Sequence, residues 1–455
     1  MQKTKKLQAD HLTAVSAFLR IQGKNKCMLE SIPRDKEQGR HTIIAWNPVK
    51  EMTVRGQQFS ITGSSPYQVT DPLKELEKYI LISEDEDEKL PFHGGGLGYV
   101  GYDVVTNYEE LGRIPPDELG LPDVHFYLFD SFLIFDHLNE CLCLVESDSY
   151  SKRTPEQLEA ALEQIVKDLQ LPSEAETKEV QLQKMSYTSN FTKEAFQETV
   201  KKVKGYITKG DMFQMVPSQR LTAMCHNEPF DYYRRLRVEN PSSYLYFIDF
   251  GETFIIGSSP ERLVSARNGT ATTNPIAGTR KRGDTVEEDK RLEMELLQDE
   301  KERAEHLMLI DLGRNDIGKI SEQGTVEVPL YMTVEKYRFV MHIVSVVTGK
   351  MKQGVTAMDA LKATLPAGTV SGAPKIRAMK RIYELEPVKR GIYAGAVGYL
   401  SKNDQADFAI AIRTMVIHKR KAYVQAGAGI VYDSEPEKEY EETLQKAKAL
   451  LEVGK

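Results

Sequence analysis

Apolar and polar positions change rhythm twice along this chain. Over the first 150 residues the apolar positions come in short β-branched and aromatic runs, TIIAW (42–46), FYLFDSFLIFDH (126–137) and CLCLVES (141–147), separated by brief turns, and this predicts strands. The acidic run EDEDEK (84–89) predicts a solvated loop. From 151 to 190 the pattern turns helical in TPEQLEAALEQIVKDLQL, then loses its period in PSEAETKEVQLQKMSY, which marks a connecting segment. A third unit, 191–455, opens at Thr192, which can cap a helix where Phe196, Val200, Val203 and Ile207 recur at three- and four-residue steps, with Gly205 and Gly210 to end it. Further on, strands are predicted at 219–223, 243–249 and 252–257, a long helical stretch at 287–313, and helices at 356–364 and 375–385. Strands return at 393–400, 407–417 and 421–425, and a last helix covers 435–452. Strand groups between helical stretches, without a strict βαβ rhythm, predict an α+β fold with large antiparallel sheets.

Composition narrows the function classes. A chain of 455 residues is too long for one ordinary core, and 40% hydrophobic with 28% charged residues is a globular balance. A net charge of -7 argues against a nucleic-acid binder. Cys27, Cys141, Cys143 and Cys225 are too few and too scattered for a disulfide framework or a zinc knuckle, and Cys141 and Cys143 share one face of a strand. The start, MQKTKKLQADH, has no apolar segment of a signal peptide, and no apolar run approaches a membrane span, so a soluble cytoplasmic protein is expected. GLGYVG (96–101) fits a dinucleotide fingerprint only by its letters. PFHGG precedes it and a strand-like YVGYDVV follows, so its glycines are read as close backbone packing.

Candidate chemistry lies in the third unit. Glu302 and Glu305 are three apart on a helix; Glu439, Glu442 and Lys446 share a face of the last helix, which Ser434 and Glu437 would cap as a capping box. Such pairs are either a solvated surface or, if the two helices meet, a site for a hard divalent cation, Mg²⁺ before Zn²⁺. PAGTVSGAPK (366–375) and QAGAG (425–429) offer backbone N–H groups. Arg413 follows the buried-looking run DFAIAI and needs an anion, structural or substrate. His342, beside IVSVV, reads first as a satisfied core histidine.

The blocks GDMFQMVPSQR, SSPERL, NPIAGTR, DEKERAEHLMLIDLGRND, HIVSVVTG, PAGTVSGAPKIRAM, RGIYAGAVGY, FAIAIRT and QAGAGIVYDSEPEKEYEET, in this order, resemble the chorismate-utilising enzymes. Residues 1–150 resemble the N-terminal region of the anthranilate-forming branch through LES (29–31), GRHTIIAWNP and PFHGGGLGYVGYD. The resemblance implies a large two-sheet antiparallel α/β sandwich with helices around a central cleft, the N-terminal region contributing to the sheets. It implies Mg²⁺ held by Glu305 and Glu442 directly and by Glu302 and Glu439 through water. Arg413 and Tyr393 would grip the enolpyruvyl carboxylate with N–H groups around Ala426, Gly427 and Gly429, while Lys446 adds charge beside the metal. Gly278 and Thr279 would form a wall of the cleft. Glu261 would protonate the departing C4 hydroxyl, and His342 and Thr369 would line the ring and assist loss of pyruvate.

Two positions select among the family's reactions. Water-using relatives carry a lysine base where this chain has Gln214, and aminodeoxychorismate synthases typically carry an attacking lysine, in PIKGT, where this chain has Ala277. What remains is ammonia as nucleophile and anthranilate as product. No G-x-C-x-G turn surrounds any cysteine, so ammonia is expected from a separate glutamine amidotransferase subunit in a hetero-oligomer. The rivals are an aminodeoxychorismate synthase that dispenses with the lysine, and a tryptophan-binding regulatory protein without turnover. Glu30, Ser31, Tyr244 and Leu245 resemble the tryptophan-binding residues of feedback-inhibited relatives; NPSSYL departs from their NPSPY-Met at Ser243 and Leu245, and Lys281 stands where relatives usually have proline.

Overall fold

The chain passes back and forth between two stacked sheets, and the crossings matter more than the strands. The computed structural model describes residues 1–31, 40–82, 90–337 and 340–454; the expected loop at 84–89 lies outside the described residues. Among the described residues one sheet has eleven strands and the other twelve, and all of their pairings are antiparallel. Both mix early and late sequence. Cys27–Glu30 pairs with Tyr244–Asp249 in the first, and Gly95–Val100 pairs with Ala396–Ser401 in the second.

The GLGYVG glycines lie in the Gly95–Val100 strand, which is buried throughout. Gly98 faces Gly398 in register, and a Cβ on Gly98 would lie 2.0 Å from the His125 carbonyl oxygen. Close strand packing therefore explains these glycines.

Phe92, Tyr99, Phe129, Phe132, Tyr246 and Ile255 belong to the core shared by the inner faces of the two sheets. Helices cover the outer faces. Pro155–Gln170 sets Leu158, Leu162, Ile165 and Leu169 inward at helical spacing. Lys193–Thr208 is capped by Thr192, whose side chain accepts from the Ala195 N–H, and it buries Phe196, Val200 and Val203. Gly205 lies within this helix; the chain turns out of it at Gly210, at φ +75°.

Gly205 therefore does not end its helix as expected, and three further expectations need correction. The stretch 287–313 is two helices, Val286–Gln298 and Glu300–Ile320. Asp299 ends the first and caps the second, its carboxylate accepting from the Lys301 and Glu302 N–H groups. The run 407–417 is two strands, Ala406–Ile410 and Thr414–His418, which belong to different sheets. Ser434 caps no helix: the last one, Pro436–Leu451, starts at a proline that needs no N–H partner, and the Ser434 hydroxyl accepts from Val431 N–H instead.

Candidate active site

Two neighbouring strands cross between the sheets together. Thr253–Ser259 and Thr414–His418 pair in the first sheet, and their continuations, Arg262–Arg267 and Ala406–Ile410, pair in the second. Glu261 and Arg413 sit in the two crossings. The Glu261 carbonyl accepts from Ile410 N–H at 3.0 Å, and the Arg413 carbonyl from Ser258 N–H at 3.1 Å. Arg413 takes a left-handed φ of +47°, a conformation an arginine holds only where its surroundings impose it.

Burial pushes the Glu261 carboxyl up to about 8. The Thr369 hydroxyl stands near enough to oppose that rise, as do the charges of Lys446 and Arg413. Thr369 Oγ1 is buried and holds no aligned hydrogen bond of its own. Arg413 has no carboxylate partner within 4.0 Å among the described residues, and burial pulls its pKa down against the fields of Tyr337 and Glu261.

The carboxylates come from the two helices. Glu305 Oε1 accepts from Gln214 Nε2 at 2.9 Å. Burial raises the Glu305 pKa, and the like charges of Glu302 and Glu442 add to the rise. Glu439 is raised by burial and by Glu442, and its Oε2 is buried without a partner. Lys446 bonds Glu442 at 2.8 Å and the Gly427 carbonyl at 3.1 Å. Its charge is felt at Glu261, Glu305 and Glu439, so it stands between the acid corner and the carboxylate cluster.

The strand Ile276–Lys281 forms one wall. Gly278, at φ +67°, approaches so closely that a Cβ there would lie 3.2 Å from Glu302 Oε2. His342 Nδ1 is 2.8 Å from the Gly278 carbonyl and 3.1 Å from Thr279 Oγ1. A carbonyl only accepts, so Nδ1 carries a proton. Arg280 reaches Asp299 at 2.7 Å and Glu302 at 3.3 Å, and Arg282 grips Asp289 at 2.8 and 2.9 Å. These two arginines therefore fasten the wall to the helices. Ala277, 9% exposed, stands opposite Ile343.

The opposite wall is the strand Lys421–Gly427 and the turn after it. A Cβ on Gly429 would meet Gln214 Nε2 at 2.8 Å, and one on Gly427 would meet the Tyr393 hydroxyl at 2.9 Å. Ala426 is buried opposite Gln219. Ala428 N–H is taken by the Pro217 carbonyl at 3.2 Å. Tyr337, passed over in the sequence, packs edge-on against His342 with ring centroids 5.3 Å apart and adds its field at Arg413. No local pattern marks it.

Among the described residues no three histidine, cysteine, aspartate or glutamate side chains stand together as a ready metal-ligand set. Glu302, Glu305 and Glu442 instead hold Arg280, Gln214 and Lys446. The chemistry still suits a hard cation: the raised pKa values of Glu305 and Glu439, the like charges beside them and a buried, unpartnered Glu439 oxygen are what such an ion relieves.

A second cavity, of about 140 Å³, is lined by Glu30, Ser31, Tyr244, Leu245, Arg262 and Asp407 among others. Glu30 there accepts both arms of Arg237 at 2.9 Å and the Tyr233 hydroxyl. Ser31 Oγ donates to the His41 carbonyl at 3.1 Å. The Tyr244 hydroxyl accepts from Arg262 at 2.6 Å and donates to Asp407 at 2.9 Å. Leu245 is opposite Glu30 in register.

The family model described as chorismate binding enzyme matches residues 25–452, and the chain belongs to that family. Within it, the chain is 54% identical over 456 residues, the full length of both proteins, to the anthranilate synthase component 1 of Lactococcus lactis subsp. lactis. It superposes on the crystal structure of anthranilate synthase component I from Streptococcus pneumoniae with a TM-score of 0.86 at 48% identity, covering 98% of this chain and 99% of that one. The menaquinone-specific isochorismate synthase of Escherichia coli, at 19% identity and a TM-score of 0.74 over 100% of this chain and 95% of that one, shares the fold.

Proposed function

We propose that the protein converts chorismate and ammonia to anthranilate, pyruvate and water, with Mg²⁺ as cofactor and with ammonia delivered by a glutamine amidotransferase component. The observation that carries this reading is the buried Glu261 carboxyl, still protonated near neutrality, sharing a corner with Arg413, which has no carboxylate within 4.0 Å among the described residues. Arg413 and Tyr393 bind the enolpyruvyl carboxylate, with Gly427 letting the Tyr393 hydroxyl and Gly429 letting Gln214 come close. Ammonia adds at C2 as the C4–O bond breaks, and Glu261 gives its proton to the leaving hydroxyl, which departs as water. The new C2 ammonium loses a proton, the C2 proton is lost as the C3–O bond breaks, and the departing enolpyruvate takes a proton at its methylene carbon to leave as pyruvate, with an aromatic ring behind. His342, its Nδ1 held by the Gly278 carbonyl, lines the ring for that second step. Glu305 and Glu442, with Glu302 and Glu439 behind them, would hold Mg²⁺, which supplies Lewis-acid neutralisation of the ring carboxylate.

Gln214 and Ala277 support ammonia as the nucleophile. Gln214 offers no base and is hydrogen-bonded to Glu305; Ala277 has no amine. The cavity at Glu30, Ser31, Tyr244 and Leu245 supports binding of tryptophan as a feedback inhibitor. A cytoplasmic location fits this chemistry, and no described helix is long and apolar enough to cross a membrane. The deciding experiment is incubation with chorismate, Mg²⁺ and an ammonium salt. Anthranilate fluorescence supports the reading, whereas accumulation of aminodeoxychorismate, or no turnover, overturns it.

A further inference from the structure

The buried pair of Glu386 and Arg390 lies outside every role assigned above. Arg390 is 1% exposed, and a guanidinium so far from water needs all its donors filled. Its Nε and Nη2 reach the two Glu386 oxygens at 2.9 and 2.6 Å, a bidentate pair. Nη1 donates to the Val370 carbonyl at 2.7 Å, and Nη2 also to the Val216 carbonyl at 2.6 Å. The guanidinium lies over the Tyr102 and Tyr393 rings, 4.7 and 5.5 Å from their centroids. Glu386 Oε1 in turn accepts from both Ser218 N–H and Ser218 Oγ at 2.8 Å, and Ser218 Oγ accepts from Gln425 at 2.8 Å.

Each of these pins ends one or two residues from the cleft. Val370 follows Thr369. Val216 continues the short strand Gln214–Met215, which pairs with Gly372–Ala373. Ser218 stands opposite Gly427 in the ladder. Tyr393 puts its hydroxyl against Gly427. One ion pair thus fixes the backbone under Thr369, Gln214 and Gly427 and the ring of Tyr393, which come from separate elements. The planar fork of a guanidinium can serve a carboxylate and two diverging carbonyls at once; an ammonium cannot. A buried ion pair seldom adds net stability over well-packed apolar side chains, so its retention here calls for a reason other than stability.

We infer that Glu386 and Arg390 form a positioning unit that sets the width of the substrate cleft, an inference that rests on the function proposed above. The test compares the parent with Arg390→Lys, Glu386→Gln and the apolar double variant Glu386→Leu with Arg390→Met, which keeps a similar buried volume. Steady-state kinetics with chorismate, Mg²⁺ and an ammonium salt are measured beside Tm. The expected result is a chorismate KM raised about 10-fold or more, the scale of effect when a supporting shell is lost. A merely structural role lowers the fraction of folded enzyme, so that apparent kcat falls while KM stays within about twofold. That second pattern overturns the inference. Should the single variants fold poorly, the apolar double variant, which leaves no buried charge unpaired, gives the same decision: a raised chorismate KM supports positioning, and a KM within about twofold of the parent's overturns it. An inactive parent overturns the proposed function and this inference with it, whereas an active parent with unmoved KM overturns the inference alone.

Discussion

Glu261 and Arg413 occupy one corner of the molecule without forming a salt bridge. Their carbonyls accept from Ile410 and Ser258 across the same pair of crossing strands, yet no ion pair within 4.0 Å joins them. Each feels the other's charge, and burial outweighs that attraction in both, lifting the carboxyl and lowering the guanidinium. The corner therefore offers an acid that still has its proton and a cation that still lacks an anion. A substrate with a carboxylate at one end and a leaving hydroxyl at the other uses both.

The Glu261 carboxyl titrates at about 8 in the fold against an ordinary value of 4.5. Between those values the folded protein holds a proton that the unfolded chain has released. The group's contribution to stability is therefore complete below the lower value and is lost as pH rises through the higher one. Turnover that needs this proton should fall as pH climbs past about 8. Glu261→Gln should lose roughly 10²-fold or more in kcat, yet its Tm should exceed the parent's increasingly with alkaline pH, because an amide stays neutral. Tm of both proteins across the pH range checks this; a constant offset would remove the raised carboxyl from the argument.

Arg413 is a buried cation with no carboxylate partner among the described residues, so removing it should cost the fold little. Arg413→Met is expected to keep or raise Tm while raising the chorismate KM about 10- to 100-fold, the worth of one charge-assisted hydrogen bond or two. Loss of Tm with an unmoved KM would instead make Arg413 a structural cation.

Much of this was legible in the sequence, and the misses share a cause. Lys375–Leu385 follows from its periodicity alone. The break at Asp299 does not, because neither glycine nor proline marks it and the signal is a carboxylate reaching two N–H groups of the next turn. FAIAIRTMVIH reads as one strand because it is apolar throughout; the interruption at Arg413 is imposed by the change of sheet, which no local pattern encodes. The glutamates are recognisable as pairs, and Lys446 as a neighbour of Glu442 four residues on, while the partners Arg280 and Gln214 depend on which elements meet. Arg390 was visible only as a letter in RGIYAG, since a buried arginine looks like any other until its carbonyls are located.

Glu305 combines burial with two like-charged neighbours, and its raised pKa records the strain of holding that charge. Glu305→Gln should therefore be at least as stable as the parent without metal, keeping an acceptor for Gln214. Added Mg²⁺ should raise the parent's Tm by mass action and the variant's far less. Equal Mg²⁺-induced shifts in the two proteins would take Glu305 out of the metal site, whatever happens to activity.

Ala277 is 9% exposed in the wall that also carries Gly278 and Thr279, on the strand paired with the one bearing His342. If that wall faces C2 of the ring, an amine placed there competes with ammonia. Ala277→Lys should lose most anthranilate formation and show a substrate-derived mass on the intact protein. Ala277→Met adds similar bulk without an amine, and it should lose activity by crowding alone, with no added mass. Comparing the two by mass spectrometry separates nucleophile from volume. Full turnover and an unmodified mass in the lysine variant would mean that this wall lies away from the reacting carbon, and that ammonia is selected by Gln214 without help from Ala277.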